Sequence, residues 1–163
     1  MSKEHHREIE ILPAVITVST TRGEADDTSG EVIKDLFTQA GFSTVFYRVI
    51  PDQDEAIRRT LYEAMNDANC IVFNGGTGLT PDDRTIEAIR PLFDKEMDGF
   101  GELFRQISIK EVGTAVILSR ATAGLISGCA VFCIPGSTKG VRLAVADIII
   151  PEIRHILSHA SKK

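Results

Sequence analysis

The chain has 163 residues, of which 43% are hydrophobic and 25% are charged, with 23 acidic and 18 basic side chains. This length predicts a single domain over residues 1–163, with 1–10 and 160–163 loosely held, and the hydrophobic content excludes a disordered chain. A net charge of −5 without a basic stripe disfavours a nucleic-acid partner. The sequence has no apolar segment typical of a membrane span or a signal peptide, which predicts a cytoplasmic protein that does not associate with a membrane.

Short β-rich runs alternate with longer segments of helical period. The first half predicts a strand at 14–18, a helix opened by a Thr28/Glu31 capping box and stopped at Gly41, a strand at 43–50, a helix at 54–66, and a strand at 70–73. The second half predicts short helices at 85–89 and after Gly99, strands at 115–118 and 130–134, and a long helix at 139–150 that Pro151 interrupts. The three cysteines form no CxxC pair and are expected to be buried thiols.

This alternation predicts an α/β fold of three layers, α/β/α, with a mostly parallel sheet. In such folds ligands bind beyond the carboxyl ends of the strands. That rule selects four loops, at 19–30, 51–54, 74–85 and 135–139.

The loop after the third predicted strand carries three glycines within four residues, Gly75, Gly76 and Gly78, with hydroxyls from Thr77 and Thr80. Glycines let backbone N–H groups approach a ligand closely and tolerate positive φ. The sequence is neither a Walker A loop nor GxGxxG, which disfavours a nicotinamide-dependent oxidoreductase. It indicates a phosphate-binding loop, and the alternative is a glycine turn without a ligand.

Acidic residues flank this loop. Asp82 and Asp83 precede the short helix, where they would serve either as caps or as Mg²⁺ ligands. Asp52 follows another strand end and could reach the same crevice, although Asp-x-Asp is also ordinary capping sequence. Thr28, Ser29 and the segment 135–139 have the same double interpretation, as helix caps or as phosphate donors. His155 and His159 are expected to be solvated rather than metal-binding.

The ordered motifs of the chain resemble those of the MoaB/Mog family of molybdenum cofactor biosynthesis proteins, and more closely its MoaB branch. They are Val18-Ser19, Asp27-Thr28-Ser29-Gly30, Ile50-Pro51-Asp52, Gly75-Gly76-Thr77-Gly78 with Asp83 and Thr85, Lys95-Glu96-Met97, Gly99-Phe100-Gly101-Glu102 with Arg105, Ser119-Arg120, and Pro135-Gly136.

The resemblance implies a molybdopterin adenylyltransferase that uses ATP and Mg²⁺ and assembles as a homotrimer or homohexamer. It implies catalytic roles for Asp52 and Asp83, with Asp83 also the metal ligand. It further implies that molybdopterin and ATP are bound by Ser19, Asp27, Ser29, Gly30, Gly75, Gly76, Thr77, Gly78, Thr80, Ser119, Arg120, Pro135, Gly136 and Ser137.

The chain departs from the family pattern at a few positions. Asp82 stands where a basic residue is common, Arg84 and Ile86 stand where Val and Pro are expected, and Thr20-Thr21 follows Ser19 where many members carry an Asp. The changes at Asp82 and Arg84 are either a local charge exchange that keeps one basic group near the loop or a change that weakens ATP binding. Two functions therefore remain open. One is an active adenylyltransferase, and the other is a non-catalytic pterin-binding assembly or carrier protein of the same pathway.

Overall fold

The computed structural model describes residues 9–162. Its strands are β1 (Pro13–Val18), β2 (Phe46–Ile50), β3 (Cys70–Asn74), β4 (Lys95–Glu96), β5 (Thr122–Ile126) and β6 (Cys129–Ile134). Its α-helices are α1 (Thr28–Gln39), α2 (Asp54–Met65), α3 (Thr85–Ile89), α4 (Asp98–Val112), α5 (Thr138–Arg142) and α6 (Ile150–Ala160). None of these helices is long and apolar enough to cross a membrane.

The six strands form one sheet in the order β2-β1-β3-β6-β5-β4, in which β2, β1, β3 and β6 run parallel. β1, β3 and β6 are buried along their whole length, as strands covered on both faces must be. The predicted three-layer, mostly parallel α/β fold is confirmed.

Alternate side chains of the central strands enter two separate cores. Val15, Val72 and Phe132 pack on one face with residues of α1, α4, α5 and α6. Ile16, Phe73 and their neighbours pack on the other face with α2 and α3. The three cysteines are buried free thiols, as expected.

The strand predicted at 115–118 is wrong. Those residues belong to an exposed 3₁₀ segment, Gly113–Leu118, and Ile117 is 80% exposed. The sheet instead continues through β5, which pairs antiparallel with β6 across a tight turn in which Ser127 and Gly128 both have positive φ. A run rich in β-branched residues forms a strand only where a partner strand pairs with it. In β5, residue 124 has to be glycine, because a Cβ there would stand 2.4 Å from the Phe93 ring.

Two helix details also differ from the prediction. The N-cap of α1 is Asp27 rather than Thr28, because the buried Asp27 carboxyl accepts the N–H of Gly30 at 3.0 Å. The long helix predicted at 139–150 is interrupted, as the presence of Pro151 predicts, but its winding changes before the proline is reached. Leu143–Ile149 is wound as a π-helix, and α6 then begins with Pro151 in its first turn.

Candidate functional site

The four loops selected from the sequence lie side by side at one edge of the sheet. The N–H of Ser19 donates to Ile50 O at 2.8 Å, and that of Gly75 donates to Ile134 O at 3.0 Å, so the ends of neighbouring strands are tied together. A Cβ on Gly136 would stand 3.3 Å from Gly75 Cα, so the glycine loop and the 135–139 loop are in contact.

The glycine loop needs its glycines for two reasons. Gly75 and Gly76 have φ of +94° and +67°, a left-handed backbone that other residues rarely adopt. A Cβ on Gly75 would also stand 2.4 Å from Val18 O, and a Cβ on Gly76 would stand 2.6 Å from Asp52 Oδ2. The loop is therefore folded closely against the ends of β1 and β2.

Asp83 and Asp52 are each held through one carboxylate oxygen. Asp83 Oδ2 accepts the backbone N–H of Thr80 at 3.0 Å and its hydroxyl at 2.7 Å. Asp52 Oδ1 accepts the N–H of Arg84 at 2.9 Å. Asp82 and Asp83 do not cap α3 with their side chains, because its N-cap is Arg84 without a side-chain bond. Thr80 thus lies where it orients Asp83.

The two aspartates share a cavity of about 550 Å³, which is lined by Val18, Ser19, Thr20, Asp52, Gln53, Gly76, Asp82 and Asp83. The pKa of Asp52 is raised above its ordinary value, chiefly by burial and also by the charge of Asp83, although the Arg84 N–H bond opposes the shift. A divalent cation between the carboxylates would relieve this unfavourable negative charge.

This cavity has three carboxylates in its lining and no basic side chain. Arg84 does not compensate for Asp82, because its guanidinium is bound by Asp54 through two hydrogen bonds, at 2.8 and 2.9 Å. That pairing lowers the pKa of Asp54. Within residues 9–162 no group of three or more His, Cys, Asp or Glu side chains is arranged to hold a metal, so a cation here would need other oxygens, such as those of phosphates.

Arg120 holds the glycine loop from behind. Its guanidinium donates to Thr77 O at 3.0 Å and to Gly78 O at 2.6 Å, and it also pairs with Glu87 on α3. Thr77 is itself buried. These contacts show that Arg120 fixes the loop between Gly76 and Asp83, a role that the sequence did not reveal.

A buried polar network lies under the first loop. Asp27 is only 1% exposed, and its Oδ2 accepts the hydroxyls of Thr17 at 2.6 Å and Tyr47 at 2.5 Å. The Ser29 hydroxyl donates to Asn74 Oδ1 at 2.9 Å, and Asn74 donates to Thr17 Oγ1 at 2.9 Å. Burial, followed by the bond to Asp27, raises the pKa of Tyr47 far above its ordinary value.

Thr17, Tyr47 and Asn74 were not predicted from the sequence. The available signal was a polar residue at or next to the end of two otherwise apolar strands, Thr17 in β1 and Asn74 in β3, and Tyr47 near the start of β2 carried no such signal. Asp27 and Gly30 belong to this supporting layer, since a Cβ on Gly30 would stand 2.0 Å from Asp27 Oδ2. Both residues are buried beneath the loops that line the cavities.

A second cavity, of about 320 Å³, shares Ser19 with the first and also includes Ser29, Gly75, Gly136 and Ser137. A third cavity, of about 460 Å³, shares Ser137 with the second, is mainly apolar, and includes Ser119, Pro135 and residues of α4. The hydroxyl oxygen of Ser119 is buried and has no hydrogen-bond partner among residues 9–162.

Comparison with known proteins shows which family has this sequence and fold. Residues 14–155 match the family model described as "probable molybdopterin binding domain". The chain is 44% identical over 151 residues to molybdenum cofactor biosynthesis protein B of Bacillus subtilis, covering 91% of this chain and 89% of that protein. The match to the protein of that name from Escherichia coli K12 is 43% over 142 residues, covering 86% and 84%.

The chain belongs to this molybdopterin-binding family. The crystal structure of the tungsten cofactor synthesizing protein MoaB from Pyrococcus furiosus superposes with a TM-score of 0.87 at 43% identity, covering 93% of this chain and 98% of that one. A crystal structure of a molybdenum cofactor biosynthesis protein B gives 0.91 at 40% identity, covering 95% and 98%. The similarity therefore covers the sheet, its helices and all the loops of the candidate site.

The supporting network of this family member can be tested at Tyr47. We expect Tyr47→Phe to lower the free energy of unfolding by about 1 to 2 kcal/mol, because it removes one donor from the buried Asp27 carboxyl. Urea denaturation measures the change, and Tyr62→Phe is the matched control because Tyr62 is 52% exposed. Equal losses in the two variants would contradict the role given to the Asp27 network.

Proposed function

We propose that the chain takes part in molybdenum or tungsten cofactor biosynthesis by transferring AMP from ATP to the terminal phosphate of molybdopterin. The observation that carries this proposal is the pair Asp52 and Asp83, which face one cavity directly beside a glycine loop. The family membership supports molybdopterin as the substrate, and the two adjoining cavities offer room for a second ligand beside ATP.

The reaction balances without any further reactant. An oxygen of the molybdopterin phosphate forms a bond to the α-phosphorus of ATP, and the bond from that phosphorus to the β-phosphate oxygen breaks, releasing pyrophosphate. The attacking oxygen is already ionised near pH 7, so no side chain has to remove a proton. The work left to the protein is alignment of the two phosphates and neutralisation of their charge.

Asp83 and Asp52 fit a role as Mg²⁺ ligands. They are hard oxygen donors, and no basic side chain lines their cavity. When bound, Mg²⁺ would neutralise the ATP phosphates and the developing charge on pyrophosphate. Thr80 orients Asp83, and the N–H of Arg84 orients Asp52. Arg120 fixes the loop by binding its Thr77 and Gly78 carbonyl groups.

The glycine loop and the ends of α1 and α5 supply the groups that would bind the pterin phosphate. The cavity beside them contains the Ser29 and Ser137 side chains, together with Arg22. Ser137 also caps α5, with its hydroxyl accepting the N–H of Gly140 at 3.2 Å. The neighbouring apolar cavity suits the flat, partly polar pterin ring, since the buried Ser119 hydroxyl there has no hydrogen-bond partner within the described part of the chain.

The direct test incubates the protein with molybdopterin, ATP and Mg²⁺ and follows AMP incorporation together with pyrophosphate release. We expect Mg²⁺-dependent transfer. Pterin binding without transfer would instead support the alternative, a non-catalytic assembly or carrier protein. The excess of carboxylates in the cavity of Asp52 and Asp83 favours that alternative, because Asp82 adds negative charge where the triphosphate of ATP would bind.

Replacing Asp82 tests whether its charge opposes ATP binding. We expect Asp82→Asn to lower the KM for Mg²⁺-ATP by about two- to fivefold, because a like charge is removed from the mouth of the cavity. Steady-state kinetics at fixed Mg²⁺ measures this, with Asp35→Asn on the exposed face of α1 as a control of equal charge change. An unchanged or higher KM would show that Asp82 does not oppose ATP binding.

We also propose that the protein acts in the cytoplasm as a homo-oligomer, a trimer or a hexamer. Exposed apolar side chains support association. α4 and the 3₁₀ segment beside Ser119 together expose Leu103, Ile109, Val112, Ile117 and Leu118. Light scattering is expected to give three or six chains per particle, and a monomer at all concentrations would contradict the proposal.

A further inference from the structure

The short helix α3 contacts both sides of the candidate site. The N–H of Arg84, its N-cap, donates to Asp52 Oδ1 at 2.9 Å. The hydroxyl of Thr85 donates to Gly75 O at 2.8 Å, and the N–H of Thr85 donates to Gly76 O at 3.0 Å. The start of one helix therefore fixes both Asp52 and the first half of the glycine loop.

Glu87, also in α3, is connected to the second half of the loop by Arg120. Both carboxylate oxygens of Glu87 accept from the guanidinium of Arg120, and one of these bonds, from Nη2, measures 3.2 Å. The same guanidinium donates to Thr77 O and Gly78 O. Four consecutive loop carbonyl groups, at 75–78, thus accept hydrogen bonds either from α3 or from the arginine that α3 holds.

These bonds occupy most of the donors of Arg120. A guanidinium has about five N–H donors. Four are used here, two by the loop carbonyl groups and two by Glu87. Pairing through both carboxylate oxygens fixes the plane of the guanidinium as well as its position. In agreement with this contact, the bond from Arg120 is the main cause that lowers the pKa of Glu87.

The part of the loop that Arg120 binds is in contact with Asp83. A Cβ on Gly78 would stand 2.6 Å from Asp83 Oδ2, so this residue packs directly against the carboxylate. The bond to Glu87 is the main cause that raises the pKa of Arg120, and the charge of Asp83 adds to the shift, although burial opposes it. A guanidinium released from Glu87 would therefore be attracted to Asp83 and would compete there with a metal cation.

We propose that Glu87 is a positioning residue of the candidate site. By binding Arg120, it keeps the guanidinium on the loop carbonyl groups, so that Asp83 stays aligned with Asp52 and available to a divalent cation. The inference rests on the AMP transfer proposed above and adds a residue that controls the cation requirement of that reaction. The cavity shared by the two aspartates does not include Glu87 in its lining, so Glu87 acts through Arg120 rather than on a ligand.

Glu87→Gln tests this role, because glutamine keeps the shape of the side chain and one acceptor oxygen but loses the charge. We expect the kcat for AMP transfer to fall about tenfold and the half-saturating Mg²⁺ concentration to rise about three- to tenfold. Steady-state kinetics with Mg²⁺ varied at saturating ATP measures both constants. Glu63→Gln is the matched control and should change neither constant, since it breaks the ion pair with Arg48, and neither residue of that pair lines the three cavities of the candidate site.

A double-mutant cycle with Arg120→Gln shows whether Glu87 acts through Arg120. Arg120→Gln should lower kcat at least as much as Glu87→Gln, but its Mg²⁺ requirement should stay at the wild-type value, because no guanidinium is left to compete for Asp83. The double variant should equal Arg120→Gln in both constants. Additive losses of kcat, or an Mg²⁺ requirement that stays high in the double variant, would overturn the proposal.

Hydrogen–deuterium exchange of the loop distinguishes failure of this inference from failure of the proposed function. Without any ligand, peptides covering 76–83 should exchange at least about threefold faster in Glu87→Gln and in Arg120→Gln, whereas peptides covering α1 should be unchanged. Faster loop exchange in a protein whose wild type transfers no AMP would refute the proposed function and still support the hold of Glu87 on the loop. Unchanged loop exchange in Glu87→Gln would overturn the inference in either case.

Discussion

Asp83→Asn is expected to lower Mg²⁺-dependent AMP transfer by at least about 100-fold while leaving the fold intact. Asparagine has nearly the same shape and keeps a carbonyl oxygen that can accept both donors of Thr80, so the loop geometry should survive. What disappears is the negative charge that would hold Mg²⁺ beside the phosphates. The transfer rate at saturating ATP and the thermal midpoint of unfolding, measured together, separate these two effects.

Asp82→Asn is the control for this change. It removes the same charge one position earlier, but from an exposed side chain that no hydrogen bond within residues 9–162 holds in place. The two substitutions should therefore act in opposite directions, with a lower KM for Asp82→Asn and a lost transfer rate for Asp83→Asn. Full activity in Asp83→Asn would remove Asp83 from the metal site, and an equal loss in both variants would point to a general effect of charge.

The sequence was sufficient for the features that depend on short-range pattern. The apolar run at 70–73 predicted a central strand, and Gly75, Gly76 and Asp83 directly after it predicted a loop at the carboxyl end of that strand. Asp52 could be added because parallel strands end at the same edge. These inferences need only periodicity, strand direction and the conformational freedom of glycine.

The features that the sequence did not reveal depend on long-range partners. β5 is a weak strand by composition, and it forms because β6 and the two residues of β4 pair with it on either side. Arg120 looks like a ligand-binding cation in the sequence, yet it binds the carbonyl groups of Thr77 and Gly78, 43 and 42 residues away. No local pattern encodes such a contact.

Whether Arg84 compensates for the charge of Asp82 could be decided only from the structure. Asp82 and Arg84 suggest, in sequence, an exchange that keeps one basic group near the glycine loop. Asp54, the first residue of α2, binds the guanidinium of Arg84 and neutralises its charge. The lining of the cavity around Asp52 and Asp83 therefore remains acidic. The proposed dependence on Mg²⁺ follows from that pairing as much as from Asp83 itself.

Gly76→Ala is expected to reduce activity by at least about 100-fold and also to destabilise the fold. A Cβ at this position would stand 2.3 Å from Thr85 Oγ1 and 2.6 Å from Asp52 Oδ2, so one or both side chains must move. Thr85 holds the loop through its hydroxyl, which donates to Gly75 O at 2.8 Å. The substitution should therefore shift Asp52 and the loop together, and displace the reacting phosphates.

The cost of the left-handed backbone can be separated from this crowding. Gly41 has φ of +87° and no heavy atom within 4 Å of its Cβ position, so Gly41→Ala carries the backbone strain alone, about 1–2 kcal/mol. Gly76→Ala should lose about 1–3 kcal/mol more in urea denaturation, and it alone should lose AMP transfer. If both variants kept full activity and were equally destabilised, the close contact of Gly76 with Asp52 would have no part in catalysis.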